Sequence, residues 1–231
     1  MKSVTAGLFA LLSWAALAAD LVVYTESSPP YQYESTQGDV AGSATDRVKA
    51  IIDAAGLNAR YELYPWARAV NLAKKNTKSL IYSMARLPER EQDFIFIAPV
   101  VRFDLALVKL AGNRNIVINN WAALNNYSIV VQRDDVAFYW LQQLGLKENE
   151  QIFICADIQC SWQHLLRGTV DLIVEDPALI APTAQRFGMD ANRFVPVRFI
   201  PELAVQGYLA ANRKIDPAIV ARLQRAVQLI K

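Results

Sequence analysis

Short apolar runs alternate with amphipathic stretches along almost the whole chain, and this alternation limits the possible fold more than any other feature. Leu21-Val22-Val23-Tyr24 reads as a buried strand, and the polar, Pro-containing stretch from Glu26 to Asp39 reads as a long loop leaving its carboxyl end. Ser43 or Thr45 is placed to cap a helix that carries Val48, Ile51, Ile52 and Ala55 on one face and stops at Gly56. A strand over Ala59 to Tyr64, a helix over Trp66 to Lys75 behind Pro65, and a strand at Leu80-Ile81-Tyr82 complete a βαβαβ series. Parallel neighbours need a crossover, so the series predicts a parallel sheet with helices on its faces, an α/β unit.

Phe94 to Ile97 and Phe103 to Leu110 add two strand-like runs, and Ala111-Gly112-Asn113 marks the crossing into a second unit. There the pattern repeats: strand at Ser128 to Val131, helix at Val136 to Leu144 closed by Gly145, strand at Gln151 to Ile154. A helix at Ser161 to Arg167 closed by Gly168 and a strand at Val170 to Val174 follow. After a helix from about Ala178 to Phe187, Phe194 to Phe199 and Ala204 to Ala210 are extended. Asp216-Pro217 then opens a last helix with Ile219, Leu223, Ala226, Val227 and Ile230 on one stripe. That stripe must be buried on something already built, and the first unit serves. The expected organisation is a leader over 1–19, one lobe from 20–110 with 204–231, and an inserted lobe over 111–203 that includes the return crossing.

Lys2, the apolar run Val4 to Leu17, and Ala16-Leu17-Ala18 have the form of a cleaved secretory leader, with the mature chain expected to begin near Asp20 in the periplasm. No later stretch is long and apolar enough to span a bilayer, so no membrane span is expected after cleavage. Lys2 is one of 24 basic residues, and the rest nearly balance 22 acidic ones without any basic block longer than Lys74-Lys75. Nucleic acid is therefore not an expected partner. Cys155 and Cys160 are the only cysteines. In an oxidising compartment a small local disulfide is one reading and a pair of reduced buried thiols the other. Adding His164 does not complete a zinc ligand set, so neither metal nor cofactor is expected.

The order of elements, together with Pro29-Pro30-Tyr31, Tyr64-Pro65-Trp66-Ala67-Arg68-Ala69, Ser83-Met84-Ala85-Arg86-Leu87-Pro88-Glu89-Arg90 and Gly168-Thr169-Val170-Asp171, resembles the family 3 extracellular solute-binding proteins. The block with Pro-Glu-Arg before a Phe-rich strand is the most specific part, and Pro-Trp-Ala-Arg-Ala marks a subgroup of the polar amino-acid receptor type. The resemblance implies a type II periplasmic-binding-protein-like α/β fold, two lobes joined by two crossing strands. It also implies a monomer that closes on a small-molecule ligand, an amino acid or related zwitterion or anion, and delivers it to an ABC transporter permease.

Carried onto this chain, the family's carboxylate-clamping arginine falls on Arg90, where a planar guanidinium can offer two parallel N–H donors. The alternative is a surface arginine paired with Glu89 or Glu91. Ser83 matches a position offering polar contacts to the same carboxylate, or is a strand-end serine. Asp176 matches the acceptor of the ligand's ammonium, or caps the helix after it; Glu175 can take the ammonium instead. Trp66 forms an apolar wall or packs inside, Glu26 is a cleft acid or a solvated loop acid, and Arg68 and Arg86 add charge at the mouth or pair with structural acids. The chain departs from the family in two places. Arg133-Asp134-Asp135 stands where many members present Gly-Thr at a helix N-terminus, leaving Arg133 as an anion ligand or an exposed cation and Asp134 or Asp135 as a cap. Ser28 stands where an aromatic often covers the ligand.

Two other functions fit the same scaffold. One is a periplasmic, dehydratase-like enzyme using Glu26, Glu175 or Asp176 as general acid or base. The other is a sensing module that reports ligand to a membrane partner. No nucleophile elbow or phosphate loop is present, and His164 has no nucleophile beside it.

Overall fold

In the computed structural model, which describes residues 21–230, the alternation read from the sequence becomes two parallel sheet halves joined by two long antiparallel strands. The leader and its cleavage site lie outside the described residues. The elements in chain order are β1 (Leu21–Thr25), β2 (Tyr33–Glu34), β3 (Val40–Ala41), α1 (Ser43–Ala54), β4 (Ala59–Leu63), α2 (Trp66–Lys75), β5 (Ser79–Ala85), α3 (Pro88–Glu91) and β6 (Phe94–Leu110). They continue as β7 (Ile129–Gln132), α4 (Val136–Gln143), β8 (Ile152–Cys155), α5 (Ile158–Leu166), β9 (Leu172–Glu175), α6 (Pro177–Arg186), β10 (Phe194–Asn212) and α7 (Pro217–Leu229). Short 3₁₀ turns at Trp121–Asn126 and Ala191–Arg193 precede β7 and β10.

The eight-stranded sheet runs β4-β1-β5-β10-β6-β9-β7-β8. β4, β1 and β5 are parallel to one another, as are β9, β7 and β8; β10 and β6 pair antiparallel between the two groups. The sequence reading split each crossing strand in two, at Ala98 to Arg102 and at Ile200 to Leu203. The structure instead carries both through as single strands, absorbing the irregularity as register shifts, among them one between Phe199 and Ala204. Pro201 lies in that shifted stretch, where a missing N–H costs no ladder bond.

Each half has its own apolar interior. In the first, Val48, Ile51 and Ile52 of α1 meet Leu223 and Ala226 of α7 over β1 and β5, so the last helix packs against the first unit as its stripe requires. Arg222 on α7 donates from Nε to the Ala55 carbonyl at 2.9 Å and so satisfies an orphan acceptor at the end of α1. On the opposite face Trp66, Ala69, Val70 and Ala73 of α2 pack on Val22, Ile81 and Phe94. In the second half Val136, Ala137, Trp140 and Leu141 of α4 cover one face of the sheet, and Trp162 and Leu165 of α5 cover the other. Burying a single Leu- or Ile-sized side chain in this way stabilises by about 1.5–3 kcal/mol.

The start of α1 differs from the sequence expectation. Its N-cap is Gly42, not a side-chain oxygen; the carbonyls of Pro30 and Tyr31 accept from the N–H groups of Ser43, Ala44 and Thr45. Gly42 has φ 119, and a Cβ there would run into the Tyr31 carbonyl, which is why the chain uses glycine. Thr45 is turned inward instead, its Oγ1 2.8 Å from the Tyr82 hydroxyl. Cys155 and Cys160 are bonded to each other, which resolves the two readings of that pair; with the sulfurs joined, no thiolate remains beside His164 to hold a metal. Among the described residues no helix is long and apolar enough to cross a membrane.

Gly207 on β10 lies against β5 and β6 where the two halves join. A Cβ at this position would come within 2.6 Å of Val101 Cγ1 and 3.0 Å of the Ser83 backbone. Gly207→Ala is therefore expected to destabilise by about 1–3 kcal/mol, read as a lower urea midpoint at unchanged slope; an unchanged midpoint would show that β10 stands further from β5 than described.

Candidate functional site

The carboxyl ends of the parallel strands in both halves face each other across the crossing pair, the place where open α/β sheets meet their ligands. β1 ends at Thr25 and delivers Glu26; β5 delivers Ser83; α2 and α3 deliver Trp66 and Arg90. From the other half β7 ends on Gln132, α4 starts behind Asp135, and β9 ends on Glu175, with Leu179 and Thr183 of α6 behind it. Phe103 and Leu105 of β6 and Val205 of β10 form the floor. The cavity holds about 80 Å³ and adjoins an outer hollow of about 260 Å³, with Glu26, Ser27 and Ile158 lining both.

Arg90 is 6% exposed and is held from both sides. Nη1 donates to the Ala85 carbonyl at 2.9 Å within its own half, and Nη2 reaches across the cleft to the Asp134 carbonyl at 2.7 Å. The Trp66 indole donates to that same carbonyl at 3.1 Å and lies with its ring 5.3 Å from the Arg90 guanidinium carbon. Asp134 sits at φ 59, a left-handed conformation that aspartate tolerates. Its carbonyl accepts from two donors of the opposite half, and the next residue, Asp135, caps α4 through Oδ1 to the Val136 N–H at 2.6 Å.

Three carboxyl groups share this space with the one guanidinium. Burial, reinforced by the Asp135 charge and opposed by a hydrogen bond from Gln132, pushes Glu26 up to about 8. Burial pushes Glu175 up to about 7 against the Asp176 N–H and the Trp162 indole, which donate to its two oxygens at 2.9 and 3.1 Å. Asp135 is also raised by burial, although Arg90 pulls it down. Like charges crowded into a poorly solvated space disfavour simultaneous ionisation, and one arginine does not offset three acids. Gln132 adds a further acceptor: its Oε1 is buried and has no hydrogen-bond partner.

Of the residues singled out from the sequence, Glu26, Trp66, Ser83 and Arg90 line the cavity together. Ser83 adopts φ 60 inside a strand and donates from Oγ to Gln32 Oε1 at 2.9 Å. Asp176 lies outside the lining. Its Oδ1 caps α6 at Ala178 N–H, 2.9 Å away, and its Oδ2 accepts the Asp104 N–H of β6 at 3.1 Å, so it braces α6 to a crossing strand. Arg86 is turned out of the cavity and pairs with Glu91 at 2.6 Å. Arg133 is exposed, because alternation along β7 turns Gln132 inward and the next residue outward. Arg68 stacks over the Tyr64 ring at 4.4 Å. The sequence reading missed Gln132 as a site residue and took Asp135 only as a cap; position at the carboxyl end of β7, or just beyond it, was the available signal.

Comparisons with known proteins agree with this architecture. The family model for bacterial extracellular solute-binding proteins, family 3, matches residues 21–231. Among solved structures, a histidine kinase sensor domain with similarity to periplasmic binding proteins superposes with TM-score 0.79 at 17% identity, covering 92% of this chain and 90% of that one. The arginine-bound form of truncated ArgBP from T. maritima gives TM-score 0.75 at 15% identity, with 92% and 96% covered. The arginine-, lysine-, histidine-binding protein ArtJ from Geobacillus stearothermophilus gives 0.76 at 18%, with 91% and 89% covered. A comparison with curated proteins found no match.

The raised acids carry a pH signature. Glu26 and Glu175 bind protons more tightly folded than unfolded, so between the unfolded value of 4.5 and the folded values of about 8 and 7 the native state holds the extra protons. Stability then falls as pH rises through that window. The ligand-free protein is expected to be on the order of 5 kcal/mol less stable at about pH 8.5 than at about pH 5.5, and Glu26→Gln should flatten the slope. Urea titrations at a series of pH values check this; a slope of the opposite sign, or an unaltered slope in the variant, contradicts it.

Proposed function

The chain belongs to the bacterial extracellular solute-binding proteins, family 3, and from that premise we propose that it captures one small polar solute between its lobes in the periplasm and presents the closed form to the permease of an ABC importer. In this reading residues 20–110 with 204–231 form one lobe and 111–203 the other, and β6 and β10 act as the hinge. The observation that carries it is the bridge across the cleft: Arg90 and Trp66 of one half both donate to the Asp134 carbonyl of the other, directly beside a cavity lined by both halves. Contacts available only when the halves meet are what a ligand needs in order to favour the closed form, because only differential affinity shifts such an equilibrium.

Glu26, Trp66, Ser83 and Arg90 are proposed as ligand-facing residues, joined by Gln132, Asp135 and Glu175, while Asp176, Arg86 and Arg133 have structural or surface roles. Solved structures of similar fold that bind arginine, lysine or histidine support a solute of amino-acid size. A second reading, a lyase on the same scaffold, draws support from two cavity acids, one buried and one half-buried, whose pKa values of about 7 and about 8 suit proton transfer near neutrality. It differs from the first in one observable, covalent change of the bound solute.

Native mass spectrometry of the protein purified from its source compartment is expected to show one bound small molecule that leaves chemically unaltered. Arg90→Ala should retain the fold at a cost of about 1–3 kcal/mol and lose at least about tenfold in affinity for that molecule, since the Asp134 carbonyl loses a charged donor. A protein that arrives empty and gains no thermal stability from amino acids, amines or organic acids would remove the receptor reading. Accumulation of a product would replace it with the lyase.

A further inference from the structure

The cavity is short of positive charge. Glu26, Asp135 and Glu175 face Arg90 as the only cation of the lining, and the guanidinium already donates to the Ala85 and Asp134 carbonyls with the Trp66 ring against it. A ligand carboxylate placed here would be a fourth acidic group around one buried arginine, in a space where uncompensated charge is costly. Among the described residues the single buried side-chain polar atom without a partner is Gln132 Oε1, an acceptor, and it borders the same space. A buried acceptor left unmatched is costly, and a ligand N–H is what removes that cost. The outer hollow repeats the imbalance, with Glu34 and Asp157 facing Arg186. The helix N-terminus that could hold a carboxylate, that of α4, is already capped by Asp135.

Resting on the receptor reading, we propose that the ligand is an organic cation without a carboxylate, a primary ammonium or guanidinium compound. Its N–H groups would be accepted by Gln132 Oε1 and by the carboxylates of Glu26, Asp135 and Glu175, with the Trp66 and Phe103 rings bounding its apolar part. With all three acids ionised the lining carries a net charge of −2, so one cationic group halves the imbalance and a dication cancels it. Binding therefore releases protons: Glu26 is faced by Asp135, Glu175 and Arg90, and Glu175 by Asp176 and Asp135, so a cation among them restores the carboxylates that burial and mutual repulsion keep protonated. Affinity then rises with pH from the acidic side toward about pH 8.

The test is isothermal calorimetry of the intact mature protein with four probes: agmatine, which is arginine without its carboxylate, cadaverine, arginine, and glutarate. Agmatine or cadaverine is expected to bind at least tenfold more tightly than arginine, with glutarate silent. Their affinity is expected to rise at least tenfold between pH 6 and pH 8.5, with protons released to the buffer, and Glu26→Gln should reduce that release. Tighter binding of arginine or glutarate than of the two amines overturns the proposal while leaving the receptor reading intact. Proton uptake, or pH-independent affinity, overturns it as well. Silence from all four probes also overturns it, and the solute seen by native mass spectrometry then decides separately whether the receptor reading stands.

Discussion

One backbone carbonyl, that of Asp134, is the point on which the two halves of this protein converge. It lies where β7 runs out and α4 begins, in a left-handed turn that aims the oxygen away from its own half. Two donors meet it from across the cleft, the Arg90 guanidinium at 2.7 Å and the Trp66 indole at 3.1 Å. Neither donor is free to wander. Arg90 is pinned by the Ala85 carbonyl behind it, and Trp66 is 3% exposed at the start of a helix whose apolar face is buried on β1 and β5. A charge-assisted bond to a carbonyl in so enclosed a place is stronger than its counterpart in water, and its loss on opening would leave groups unsatisfied. The bridge therefore ties the two halves together next to the cavity that both of them line.

The surroundings of that bridge explain why the cavity carries its unusual charge. Capping α4 requires an oxygen acceptor at Asp135, and the ends of β1 and β9 supply Glu26 and Glu175, so three acids converge on one arginine. Two of them are pushed to about 8 and about 7. The protein tolerates this arrangement by holding protons, not by pairing the acids, since the ion pairs of the described residues all lie elsewhere, between exposed or half-exposed side chains such as Arg86 and Glu91. Such pairs contribute at most about 1 kcal/mol. The electrostatic tension is concentrated at the cleft.

Most of the fold was legible because it rests on hydrophobic periodicity, which survives in a single sequence. α2 falls on the residues read for it, and most other elements begin or end within one or two residues of the reading. The crossing strands were misread as pairs because Pro99 and Pro201 interrupt the apolar pattern, while the register shifts that accommodate such interruptions are tertiary events. The site was harder to read, since side-chain direction depends on strand parity. Ending β9 at Glu175 instead of Val174 turns Glu175 into the cavity and leaves Asp176 to cap α6, so one residue of boundary error exchanges a cavity-facing acid for a structural one. Gln132 carries no sequence signal at all beyond its position, and its orphaned oxygen is visible only once the other half is in place.

Whether the halves truly close over this cavity is most directly read from the shape of the molecule in solution. Small-angle scattering of solute-stripped protein, repeated with saturating amounts of the solute that co-purifies with it, is expected to show a smaller radius of gyration and a shorter maximum dimension on binding. Superimposable curves in the two states would contradict the account, because the bridge to Asp134 would then be a permanent joint and not a closure contact.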